Sequence, residues 1–102
     1  MTMTNNIETI SGRLGADPKL TYTTKGEAVC ELSVGLNNDQ SKTIWRKVVT
    51  FGKLAEQCSV HLKKGAEVFV RGPVILRKYT NKEGIEKEFL EVKAFSVGQS
   101  LV

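Results

Sequence analysis

Apolar and polar positions alternate most regularly over residues 27–36, EAVCELSVGL. Ala28, Cys30, Leu32, Val34 and Leu36 fall on one face there, with Val29, Glu31, Ser33 and Gly35 on the other. A period of two predicts a strand with one face in a core. Residues 5–14, NNIETISGRL, predict a second strand with Ile10, Gly12 and Leu14 on one side, ended by GADPK. After the polar turn or loop NNDQSK (37–42), residues 43–51 read as a third strand, TIWRKVVTF. Its two faces are both mixed: Trp45, Lys47, Val49 and Phe51 on one, Ile44, Arg46, Val48 and Thr50 on the other. Neither is the apolar stripe of a core or the polar stripe of a solvated surface.

The period changes at Gly52. In GKLAEQCSVHLKKG (52–65), Leu54, Ala55, Cys58 and Leu62 recur at helical spacing, with Lys63 and Lys64 at the expected C-terminal end and Gly65 as the stop. AEVFVRG (66–72) predicts another strand, and residues 75–97 predict a hairpin turning at NKEG. Five strands with a single short helix between the third and fourth give an all-β expectation, the OB-fold, a five-stranded Greek-key barrel that often binds oligonucleotides. Residues 1–98 are expected to form this one domain, and residues 99–102 a short unordered end.

The length, 102 residues, suits one modest core. No stretch approaches the roughly 20 apolar residues of a membrane span, and MTMTNNIETISG lacks the features of a secretory signal, so the expected compartment is the cytoplasm. A net charge of +4 is compatible with a polyanionic partner and does not establish one. Cys30 and Cys58 are expected to be reduced and packed as small hydrophobes, and with a single histidine they make no metal site of usual spacing. No cofactor is expected. Catalysis is not expected either: His61 reads as a partly exposed helical residue, and Glu83, Glu86, Glu88 and Glu91 read as solvated hairpin positions. GRLG (12–15) matches the GxxG loop that clamps nucleic-acid backbones between two helices, but here it ends a strand, so a turn needing small residues is the better account.

The aromatic residues change the picture. Trp45 and Phe51 share a face with Lys47, Tyr79 follows Arg77 and Lys78, and Tyr22 lies between Lys19 and Lys25. Rings stack on unpaired bases and cations neutralise phosphates, a combination that favours single strands over a duplex whose base faces are hidden. Core packing and base stacking remain equally open for Phe51, while Phe69, Phe89 and Phe95 read as core.

Three segments, GRLGADPKLTYTTKGEAVCELSV, WRKVVTFGKLAEQCSVHLKKGAEVFVRG and LRKYTNKEG, resemble the bacterial single-stranded DNA-binding protein family, nearly throughout the chain and in the family's order. The resemblance implies an OB-fold that assembles as a homotetramer, with a dimer as the alternative, and holds single-stranded DNA in replication, recombination or repair without demanding a sequence. It implies stacking by Trp45, Phe51 and Tyr79 and phosphate contact by Lys47, Lys53, Lys64, Arg77 and Lys78, with Tyr22 in a matching stretch. The sequence departs from the family where NNDQ replaces a region that often carries another stacking tryptophan, and where Arg46 stands in place of a common histidine linked to subunit contacts. Relatives continue to an acidic tip that docks partner enzymes. With no acid after Glu91, tail-mediated partners are not expected here. The competing expectations are a tail-less OB-fold interaction module of a replication-restart complex and an RNA binder.

Overall fold

A computed structural model of the chain describes residues 6–36 and 44–100. The elements are β1 (Ile7–Leu14), β2 (Lys19–Tyr22), β3 (Ala28–Leu36), β4 (Ile44–Phe51), α1 (Gly52–His61), β5 (Glu67–Thr80), β6 (Glu86–Lys93) and β7 (Ser96–Gln99). The loop at 37–42 and Thr43 lie outside the described residues.

Five of the strands close in a ring. β1 pairs with β3, β3 with β4, β4 with β6, β6 with β5, and β5 returns to β1. All these pairings are antiparallel except β4 with β6, where Val48 lies opposite Val92. The residues that alternate inward fill the interior: Leu32 and Val34 from β3, Val48 from β4, Val68 and Val70 from β5 and Val92 from β6. α1 adds Ala55 and Cys58 to this core.

Helix and hairpin follow the sequence pattern with two changes. α1 ends at His61, so Lys63 and Lys64 lie beyond it. Leu62 is extended, keeps its N–H on the Cys58 carbonyl at 3.1 Å and is buried as its apolar spacing requires. The segments 66–72 and 75–80 join into one long strand, β5, that runs through Pro73. Pro73 has no N–H to donate and sits where β5 exchanges neighbours, with β1 and β7 before it and β6 after it. The turn at residues 81–84 forms as expected, and the Asn81 side chain accepts the N–H groups of Glu83 at 2.9 Å and Ile85 at 3.0 Å.

Two short strands have no counterpart in the sequence reading. β2 and β7 each have four residues, mostly exposed, with too little alternation to give a periodic signal. β7 continues β6 along the same side of β5. Between the pairs Val74–Val92 and Arg71–Ser96 β5 advances three residues and its partner four, which is a bulge at Ala94 and Phe95. The pairing of β7 extends to Gln99, opposite Val68, and the Ser100 N–H donates to the Glu67 carbonyl at 2.9 Å.

The two thiols are buried, as expected. Desolvation, with smaller contributions from Cys58 and Glu31, pushes the Cys30 thiol from 9.0 to about 11, and burial also raises Cys58. A raised thiol value means that the folded state retains its proton longer than the unfolded state. The stability this confers is present below pH 9.0 and is lost as pH rises towards about 11. Urea melts across that window are expected to show a shallower decline for Cys30→Ala than for the parent protein. Parallel declines would place the pH dependence elsewhere.

Candidate nucleic-acid interface

β4 separates its two mixed faces in the predicted way. Val48 and Thr50 point inward and are fully buried, and the Thr50 hydroxyl donates to the Cys30 carbonyl at 3.1 Å. Trp45, Lys47, Val49 and Phe51 therefore lie on the outside of the ring, spread over about 20 Å of strand.

Trp45 is 57% exposed and lies opposite Gly35 of β3. Its ring also rests on Gly15, where an added Cβ would stand 2.4 Å from Cη2 and Cζ3. The other glycine of GRLG serves a different contact. A Cβ on Gly12 would be 2.1 Å from the Gly35 carbonyl oxygen, across the pairing of β1 with β3. Both glycines thus answer to close approach, one of backbone and one of the indole, and not to a nucleic-acid clamp between helices. Gly15→Ala is expected to lift the indole from its seat and shift its emission, with the far-ultraviolet dichroism retained. An unchanged emission maximum would mean that the ring does not depend on Gly15.

Beside β4, the hairpin of β5 and β6 carries the rest of the face. Register places Arg77 opposite Phe89, Ile75 opposite Glu91 and Tyr79 opposite Lys87. The Tyr79 and Phe89 rings meet edge to face, with centroids 5.9 Å apart. Glu91 is 6% exposed and accepts from Arg77 Nε at 3.4 Å and Nη2 at 3.3 Å. Lys47 Nζ lies 3.9 Å from Glu91, 3.6 Å from Glu31 and 5.3 Å from the Phe89 ring centre. Lys93 Nζ similarly stands 5.0 Å from the Phe51 ring centre. A carboxylate this buried is tolerable because two cations share it, Lys47 from β4 and Arg77 from β5.

The structure thus brings together Trp45, Lys47, Phe51, Arg77 and Tyr79 of the predicted residues. Four others stand apart. Tyr22 pairs with Ala28, so it lies on the inward-facing side of β3, and its hydroxyl reaches Glu56 of α1 at 3.4 Å. Lys53 is exposed on the first turn of α1, near Glu56 and Val60. Lys64 follows the helix, and its backbone N–H donates to Asp17 at 2.8 Å. Lys78 alternates to the other face of the hairpin from Arg77 and Tyr79, opposite Glu88.

Three residues of this face escaped the sequence reading. Phe89 is half-buried beside Tyr79 and outside the core, Glu91 is not solvated, and Lys93 covers Phe51. The available signal was the hairpin register: once NKEG is the turn, Phe89, Glu91 and Lys93 alternate onto the side of Tyr79. Phe69 and Phe95 also depart from the core reading, at 48% and 53% exposed. They lie over another part of the ring, where Arg71 stands 5.8 Å from the Phe95 ring centre.

A closed five-stranded sheet with one helix, carrying rings interleaved with cations on its outer face, is the arrangement of an oligonucleotide-binding domain. Residues 5–99 match the Single-strand binding protein family, and the chain belongs to that family. Its all-β ring with one short helix is accordingly the OB-fold expected from the strand order. Single-stranded DNA-binding protein of Neisseria meningitidis serogroup A is 38% identical over 100 residues, covering 90% of this chain and 58% of the relative. The protein of that name from Xanthomonas campestris pv. campestris is 37% identical over 91 residues, covering 81% and 53%. The chain spans about half the length of the curated relatives it matches.

Proposed function

We propose that this chain binds single-stranded DNA without sequence preference, in replication, recombination or repair, and does so without a catalytic step. Bases stack on Trp45, Phe51 and Tyr79, while Lys47 and Arg77 exchange their carboxylate partners for phosphates. The observation that carries this reading is the outer row of β4, where an exposed indole, a lysine and a phenylalanine share one face in a member of this family. Lys53, Lys64 and Lys78 act at longer range, as exposed positive charge. The binding unit is the domain over residues 1–98, and the compartment is the cytoplasm. Among the described residues no helix is long and apolar enough to cross a membrane. The interaction-module alternative is not favoured, because the relatives matched carry the single-stranded DNA-binding name.

The test is titration of labelled oligo-dT, a duplex of equal length and oligo-rU. Tight binding of oligo-dT alone supports the reading, with log K falling with log salt by about 0.7 for each phosphate contacted. Equal or tighter binding of oligo-rU would make the partner RNA, and preference for the duplex would overturn the stacking account.

The homo-oligomer implied by the family, a tetramer or a dimer, has a surface available to it. Ile7, Phe69 and Phe95 are about half exposed on the outside of the ring over β1, β5 and β7, away from the stacking row. Light scattering on the parent and on Phe69→Arg is expected to show an assembly that the substitution disrupts, and a monomeric parent would contradict it.

A further inference from the structure

We propose that Phe89 is a fourth base platform on this face, and that Lys47 is the group a base displaces from it. The inference rests on the single-stranded DNA reading and extends it to a residue outside the family-derived set. Phe89 takes no part in the core. It stands half-buried between β4 and β5, edge-on to Tyr79 and under the Lys47 ammonium at 5.3 Å. Lys47 is loosely held: its side chain is 40% exposed and its carboxylate contacts are long, 3.6 and 3.9 Å. A stacked base gains more from an aromatic ring than an exposed lysine does, so the exchange is favourable, and the released ammonium is placed to meet the phosphate of the nucleotide that replaced it. The same device occurs at Phe51, where Lys93 covers the ring at 5.0 Å. A lysine parked on a ring keeps that ring wetted and apart from other apolar surfaces until a strand arrives. No bond is made or broken. One cation moves from a ring and two carboxylates to a phosphate, and one base takes its place.

The experiment measures oligo-dT affinity for Phe89→Ala and for Phe89→Leu, which keeps the bulk without the π-face, each alone and combined with Tyr79→Ala. The expected loss is about 5- to 140-fold for either Phe89 variant, and it persists in the Tyr79→Ala background. A loss that vanishes in that background would make Phe89 a support for Tyr79 and overturn its role as a platform. Phe89→Trp in a Trp45→Phe background supplies a direct readout: quenching by oligo-dT is expected, and an unquenched indole would overturn the proposal. Trp45→Ala and Phe51→Ala, measured alongside, separate the two levels. If they weaken binding and the Phe89 variants do not, only this inference fails. If none of them matters, the single-strand reading fails with it.

Discussion

Gly12→Ala is expected to destabilise the fold by about 3 kcal/mol or more, at or above the usual range for overpacking. The alanine Cβ would stand 2.1 Å from the Gly35 carbonyl oxygen and 2.8 Å from its carbon. Both are backbone atoms, and no rotamer can move them. Relief would require β1 and β3 to separate where Gly12 pairs with Leu36 and Leu14 with Val34. Leu14 and Val34 are core residues, so the separation would reach the interior. A urea melt that leaves the midpoint within a few tenths molar of the parent would show that β1 can shift freely, and the account of this crossing would then be wrong.

The second large effect belongs to the row proposed to stack on bases. Trp45→Ala is expected to weaken oligo-dT binding by about 1–3 kcal/mol while leaving the melt nearly unchanged. An indole 57% exposed contributes little to the core, so its removal should register in affinity alone. Lys47→Ala should behave differently. Part of its loss should disappear at high salt, because a phosphate contact acts through counterion release and a stacked ring does not. A loss at Trp45 that varied with salt as steeply as the loss at Lys47 would contradict the division of labour between rings and cations.

Strong periodicity made most of the fold legible. β3 and the two faces of β4 could be read from alternation, α1 from the change of period at Gly52, and the hairpin turn from NKEG. β2 and β7 could not, because four mostly exposed residues carry no alternation. The continuity of β5 was hidden by Gly72 and Pro73, which read as a break because the change of partner that accommodates Pro73 is a property of the closed ring.

Within the site, Trp45 and Tyr79 stood out because cations flank them. Phe89 did not, since FLEV looks like ordinary core sequence until register decides which side it takes. Glu91 was misread for the complementary reason: its partners Lys47 and Arg77 are distant in sequence and meet it only across the sheet. Tyr22 and Lys78 matched local patterns, yet alternation along a strand puts each on another face from Trp45 and Tyr79, and Lys64 follows the helix with its backbone N–H on Asp17.

The measurement that bears most directly on the central claim is the fluorescence of Trp45, the only tryptophan in the chain, during titration with oligo-dT and with duplex DNA at low and high salt. Strong quenching by oligo-dT and little by duplex is expected, with the midpoint moving to higher DNA concentration as salt increases. Binding of oligo-dT without quenching would place the strand elsewhere on the molecule and contradict the assignment of the outer face of β4 as the platform.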